Sequence, residues 1–431
     1  MRRILGIAVL AALSAYLMYG QDITGDWQGT LKAGSQQLRI ILHIARGDNG
    51  AWNGLLYSID QGPDGIPISS MTLQGSDLKF TVDAVRGTYQ GKVSPDGKSI
   101  AGTWTQGQPL PLEFQRASKE TAWKRDASPH TVQFVTVDKG VKLEVLDWGG
   151  TGRPVVLLAG LGNTAHIFDN FAPKLTPTYH VYGITRRGFG ASSAPVPDSA
   201  NYTADRLADD VLEVCDSLKL NKPVLIGHSI AGEELSSIGS RHPEKVVGLI
   251  YLDAGYSYAY YDRSRGDFLI DSLALQKKLQ QLQPGSGSQD PKRLVQELLQ
   301  TDLPQFEKDL QERQKDLQAM PAAMLAQSSA PLSPAARAIL AGEEKYTNIR
   351  APVLAIFAVP HDLGPISKDP AVRAAFEARD EASTGAQVKA FEQGVPSARV
   401  VRLPHASHYV FFSNEADVLR EVNAFIGGLP Q

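Results

Sequence analysis

Cysteine is almost absent from this chain. Cys215 is the single one in 431 residues, and that excludes any intrachain disulfide. It falls among Val211, Leu212, Val214 and Leu218, apolar positions at helical spacing, the setting of a buried structural thiol. Excess positive charge is missing too. The formal net charge is −3, whereas a nucleic-acid binder usually carries a basic patch, so the charge argues against nucleic acid as a partner. Long apolar runs are missing everywhere except at the start, since spanning a bilayer takes ~20 such residues. The glycine-containing loop Gly160-Leu161-Gly162-Asn163 has neither G-x-G-x-x-G spacing nor a Lys-Ser/Thr pair, so it does not match a nucleotide-binding loop. Nothing in the sequence implies a metal or an organic cofactor.

The exception lies at the beginning. Arg2 and Arg3 precede an uncharged, mostly apolar stretch from Ile4 to Gly20. Residues 1–20 therefore read as a signal peptide, which implies export to the periplasm or the extracellular space. An uncleaved anchor is the alternative, and membrane contact would then run through this segment alone.

The length calls for two domains. Residues 22–116 read as all-β, with β-branched and apolar runs between Gly, Asp and Ser punctuation. A glycine–aromatic pattern recurs in Gly25-Asp26-Trp27, Gly50-Ala51-Trp52 and Gly87-Thr88-Tyr89, and partially in Gly102-Thr103-Trp104. About eight short strands at this spacing predict a small antiparallel barrel or sandwich. Its aromatics are expected as core, because small barrels fill their interiors with side chains. Residues 117–130 are charged and aperiodic and read as a linker.

From residue 131 to the end, strands and helices alternate, the signature of an α/β sheet. Strands are expected at Val132–Val137, Leu143–Trp148, Val155–Ala159, His180–Thr185, Val224–Gly227, Val247–Leu252, Val353–Ala358 and Val400–Leu403. Most of the later ones are continuous apolar runs, as strands covered on both faces should be. Residues 256–348 contain no clear strand but several helical segments. An interval of that length reads as a helical lid. Within it, Pro284-Gly285-Ser286-Gly287-Ser288 reads as a flexible joint.

The chemistry centres on Gly227-His228-Ser229-Ile230-Ala231-Gly232. A serine between a strand and a helix is either a nucleophile on a strained turn, with small residues two positions to each side, or a helix cap. A serine hydroxyl needs a histidine to take its proton and a carboxylate to orient that histidine. In sheets of this class the chain order is Ser, acid, His. Of nine histidines, His405 and His408 satisfy that order after the last strand. His408 is preferred because His405 is only two residues beyond the strand. His361 precedes the preferred acid, Asp362, and is set aside. Asp362 ends the loop after Val353–Ala358, and catalytic groups gather at such C-terminal edges. Asp253, ending Ile250-Tyr251-Leu252-Asp253, is the rival. The backbone N–H groups of Ile230 and Leu161 are the expected oxyanion hole.

Taken together, residues 131–428 resemble the α/β-hydrolase fold superfamily. The resemblance rests on Ala159-Gly160-Leu161-Gly162, on Thr185-Arg186-Arg187-Gly188-Phe189-Gly190-Ala191-Ser192, on the Ser229 turn, on Asp362 and on the His408 loop. Where many members have His, Asp and Gly, this chain has Ala159, Thr185 and Ala231. The glycine–aromatic pattern of the first domain is similar to lipocalin-like barrels. The resemblance implies a Ser229–His408–Asp362 triad and acyl transfer to water through an acyl-enzyme, without a cofactor. The expectation is an exported serine hydrolase of the carboxylesterase kind, acting on a small-molecule or lipid-like ester. Amide, thioester or C–C cleavage on the same triad stays open, as does a non-catalytic ligand-binding protein on a hydrolase fold.

Overall fold

The computed structural model describes residues 22–33, 36–47, 50–59, 65–123, 129–284, 290–320, 332–364 and 370–430. The signal-peptide reading lies outside these residues, as does the Gly285–Ser288 part of the expected joint. No helix among the described residues is long and apolar enough to cross a membrane.

The first half is one antiparallel sheet. Its strands are β1 Gly25–Ala33, β2 Gln36–Arg46, β3 Trp52–Ser58, β4 Ile66–Pro67, β5 Ser70–Gln74, β6 Asp77–Val82, β7 Gly87–Val93, β8 Ser99–Gln106 and β9 Gln108–Arg116. Their spatial order is β4-β3-β2-β1-β9-β8-β7-β6-β5. The sheet curls into a half-barrel with β4 and β5 at its edges. Alternation sets the inner face: Leu78, Phe80 and Val82 of β6 are buried while Asp77 and Lys79 are exposed, as a pleat with one covered face requires. Three of the recurring aromatics are core. Trp27, Tyr89 and Trp104 are buried in one cluster with Phe80 and Phe114, while Trp52 is half-buried against that cluster under the Arg46 guanidinium. A side chain at Gly87 would begin 2.0 Å from the Trp104 ring, so this glycine makes room for the indole. The Tyr89 hydroxyl donates to the carbonyls of Ile100 and Leu112, at 3.1 and 3.0 Å.

The expected linker is held at both ends. The Ala117 N–H donates to Asp26 O at 2.9 Å, and Trp123 N–H to Gln28 Oε1 at 3.0 Å. At the far end the His130 side chain is enclosed by the second domain, with Nδ1 3.0 Å from Asp169 Oδ1.

The second domain carries all eight expected strands: β10 Thr131–Asp138, β11 Val141–Gly149, β12 Pro154–Leu158, β13 His180–Ile184, β14 Val224–His228, β15 Gly248–Leu252, β16 Val353–Ala358 and β17 Ala398–Leu403. Their order is β10-β11-β13-β12-β14-β15-β16-β17. β10 and β11 run antiparallel; from β13 to β17 every pairing is parallel. Successive side chains supply two separate cores. Leu225, Leu249 and Tyr251 pack on one face with Leu235, Ile238 and Phe391. Val224, Ile226, Ile250 and Leu252 pack on the other with Val418, Val422 and Ile426. Each such side chain removed from water contributes roughly 1.5–3 kcal/mol. Between β15 and β16 the described residues hold helices Phe268–Gln281, Pro291–Glu297, Leu303–Ala319 and Pro334–Leu340 and no strand. The parallel order brings the C-terminal ends of β14, β15, β16 and β17 side by side, and all the candidate residues except Leu161 follow those ends.

Candidate active site

Ser229 leaves β14 with φ +55°, a left-handed conformation unfavourable for a non-glycine residue. A 3-10 turn, Ser229–Ala231, leads into helix Gly232–Arg241. Ser229 is half-buried, with the Tyr258 side chain beside it. It is not the helix cap, because no side-chain cap bond is present at that end. The glycine demand falls one position later than the common motif places it. A side chain at Gly232 would begin 1.9 Å from the Ala254 carbonyl oxygen, whereas the Ala231 methyl is accommodated in the core.

The carboxylate beside His408 is Asp253. His408 Nδ1 lies 2.6 Å from Asp253 Oδ2. The expected pairing of His408 with Asp362 is not formed, and the rival acid stands in its place. Asp362 is exposed and its Oδ1 accepts from the Gly364 N–H at 2.9 Å. The reason is local. The segment after β16 runs alongside the His408 loop, through an isolated bridge between His361 and Ala406. Neighbours in extended chain point opposite ways: His361 turns inward, so Asp362 turns out.

Asp253 is completely buried and sits at φ +48°. Its Oδ1 accepts from the Tyr256 hydroxyl at 2.6 Å and the Ala358 N–H at 2.9 Å. Its Oδ2 accepts from His408 Nδ1 and from His361 Nε2 at 2.8 Å. Burial opposes ionisation, yet the bonds from His361 and His408 outweigh it and hold the carboxyl well below the usual range. Next to it, burial and the Asp253 charge push the Tyr256 phenol well above its ordinary value, so Tyr256 acts as a neutral donor.

His228, next to the serine, supports His408 from beneath. It is buried, and its Nε2 donates to the His408 carbonyl at 3.0 Å. Its ring lies 4.7 Å from that of His408 and 4.6 Å from that of Tyr409. Burial and the neighbouring His408 push its pKa down to about 3, so it stays neutral. A signal existed in the sequence: a polar residue ending an otherwise apolar strand needs a buried partner. The partner itself was not visible there.

The loop after β12 comes against the serine turn. A side chain at Gly160 would begin 3.0 Å from Ser229 Cβ and 2.9 Å from His228 Nδ1. Leu161 packs in one cluster with Ile230 and Tyr258. The Leu161 N–H makes no backbone hydrogen bond among the described residues. Asn163 Nδ2 donates to the Tyr409 hydroxyl at 3.1 Å, tying this loop to the histidine loop. Ile230 follows the serine and is buried.

Other charged neighbours brace the site. Arg187 is fully buried and grips Asp210 through two 2.6 Å bonds. Arg186 does the same with Glu234, at 2.6 and 2.9 Å. Glu233, in the first turn after the serine, is entirely enclosed. Burial and the Glu234 charge raise its pKa well above the carboxylate range, so it is held as a neutral acid. Two groups bring imidazole and carboxylate atoms within 4.8 Å of one another, His130 with His166 and Asp169, and Asp253 with His361 and His408. In both groups these contacts are imidazole–carboxylate hydrogen bonds or ion pairs, and we read neither as a metal centre.

The matched segments of curated relatives are partial. The chain is 34% identical over 116 residues to a fluoroacetate dehalogenase of Burkholderia sp, covering 26% of this chain and 38% of the relative. It is 30% identical over 154 residues to epoxide hydrolase 4 of Homo sapiens, covering 35% of this chain and 42% of the relative. It therefore spans less than half the length of either. Among solved structures, a hydrolase from Pseudomonas aeruginosa PA01 aligns over 69% of this chain and 99% of its own, at 20% identity and a TM-score of 0.45. The family description of the alpha/beta hydrolase fold matches residues 153–415, from the start of β12 to the helix after His408, so the chain belongs to the alpha/beta hydrolase family.

Proposed function

We propose that this hydrolase is a serine esterase working through an acyl-enzyme, with Ser229 as nucleophile, His408 as base and then acid, and Asp253 as the orienting carboxylate. The observation that carries this reading is the strained Ser229 turn beside a fully buried Asp253 bonded to His408 Nδ1. Fixing Nδ1 as the donor leaves Nε2 as the lone-pair nitrogen. It takes the Ser229 proton as Oγ attacks the ester carbonyl carbon. The tetrahedral oxyanion is held by the N–H groups of Ile230 and Leu161. Collapse expels the alcohol, which receives the proton from Nε2. A water then repeats the sequence on the acyl-serine and releases the acid. The dehalogenase and epoxide hydrolase similarities do not carry their reactions over, because those chemistries use a carboxylate at the nucleophile position and this chain has serine.

Further parts of the proposal concern placement. The helices between β15 and β16 act as a lid that selects the acyl or alcohol group, and residues 1–20 direct export. N-terminal sequencing of protein recovered outside the cytoplasm should start near Gln21, and a start at Met1 would contradict a cleaved signal. The reaction itself is tested by a fluorophosphonate probe on the purified protein. Stoichiometric labelling is expected on Ser229 and none on Ser229→Ala. Equal labelling of both, or none of either, would instead favour a non-catalytic binding protein on this fold.

A further inference from the structure

The acid of the proposed triad has a second histidine on it. His361 Nε2 lies 2.8 Å from Asp253 Oδ2, the oxygen that also takes His408 Nδ1. On its other side His361 Nδ1 lies 2.9 Å from Asp380 Oδ1, and its backbone N–H donates to Asp380 Oδ2 at 2.8 Å. Asp380 comes from helix Pro370–Gly394, and its Oδ1 also accepts from the Thr384 hydroxyl at 3.2 Å. Apart from the His361 ring, Asp253 accepts from the Tyr256 hydroxyl and the Ala358 N–H, and Asp380 from the His361 backbone N–H and the Thr384 hydroxyl, so each faces His361 as an acceptor. An ionised carboxylate only accepts. His361 faces one with each ring nitrogen and must donate from both.

We propose that His361 is a positioning residue, a fixed imidazolium clamped between Asp253 and Asp380, that locks the Asp253 carboxylate in its bond to His408. This rests on the reading of His408 and Asp253 given above. Among the described residues, the charged and titratable groups facing His361 are Asp253 and Tyr256 from the loop after β15, Asp380 from the helix, and His408 from the loop after β17. Tyr256 Oη lies 3.3 Å from His361 Nε2 and bonds Asp253 more closely. The His361 and His408 ring centres are 6.2 Å apart. At that separation a cation disfavours a second one, and with Asp380 offsetting part of its charge the effect is about one pH unit. Although burial works against the charged form, the bonds to Asp253 and Asp380 raise His361 to about 9, so it stays charged while His408 cycles.

The test is the pH dependence of Ser229 modification by a fluorophosphonate, in the full chain and in His361→Gln. The acid limb of the rate is expected to move to higher pH by about one unit in the variant. Loss of packing alone would lower the plateau and leave the limb in place. A limb that does not move, or moves down, overturns the inference while leaving the hydrolase reading intact. Should His361→Gln fail to fold, or the wild type fail to label, 15N-histidine spectra of the unsubstituted protein decide. His361, assigned through its contacts with Tyr256 and His408, is expected to be doubly protonated at pH 8. A neutral His361 overturns it.

Discussion

At the residue scale, the decisive fact is which carboxylate turns inward. Asp253 gives His408 a fully buried partner with every lone pair occupied, whereas Asp362 is exposed and caps a loop. Replacing Asp253 by Asn removes the charge that stabilises the His408 imidazolium and lets Nδ1 face a donor. The fall in ester kcat should be roughly 10³–10⁴-fold, as for triad acids generally. Asp362→Asn should stay within about threefold, a surface change of little consequence. Kinetics on one short-chain aryl ester with both variants checks this, and a large loss for Asp362→Asn with none for Asp253→Asn would reverse the assignment. Both aspartates follow the C-terminal end of a strand in the sequence, and strand position could not separate them. The order rule that favoured His408 over His361 was applied with Asp362 as the acid. With Asp253 as the acid the order admits both histidines. Only the direction of the side chains shows that His361 has both nitrogens bonded to carboxylates while His408 has one.

At the element scale, the strand–turn–helix unit at Ser229 follows from its small residues. Gly227, Ala231 and Gly232 were legible as a motif, but the motif could not say which small residue is indispensable. The structure ranks them. A Cβ at Gly232 collides with the Ala254 backbone oxygen at 1.9 Å, and backbone yields only by shifting the loop that carries Asp253. Gly232→Ala should destabilise the domain by about 2–4 kcal/mol through overpacking and strain and suppress Ser229 labelling. Ala231→Gly should cost no more than about 1 kcal/mol. Chemical denaturation of the two variants measures the contrast, and equal midpoints would refute it. The same scale explains the supporting pairs. Arg187 ties the loop after β13 to Asp210 of the helix Ala204–Ser217. The partners of Arg186 and His228 lie 48 and 180 residues away, beyond any local pattern.

At the scale of the whole molecule, the two sheets have separate hydrophobic cores. The cluster around Trp27, Tyr89 and Trp104 contains only residues of the first sheet and the segment before it, and the two clusters flanking the second sheet contain none of them. Two cores with no shared side chains should melt as two units. Calorimetry of the full chain is expected to show two transitions. Trp104→Ala, which empties an indole-sized space, should lower one of them by an amount equivalent to about 3–5 kcal/mol and leave the other in place. A single transition that shifts as a whole would show the domains to be coupled.

What the sequence determined by itself is whatever depends on periodicity and local sterics. Continuous apolar runs such as those of β14 and β16 required parallel strands covered on both faces, and all eight expected strands lie where the sequence placed them. Alternating apolar residues and glycines required a one-faced antiparallel sheet, with its aromatics inside. Gly227-x-Ser229 followed by small residues required a tight strand-to-helix turn. What only the tertiary structure decided depends on distant chain segments meeting. The half-barrel's open edges, the partnership of Asp253 with His408, the support from His228 and the clamp on His361 arise from side chains far apart in the chain. Each is fixed by where a loop turns after its strand, and a single residue's rotation there exchanges an inward carboxylate for an outward one.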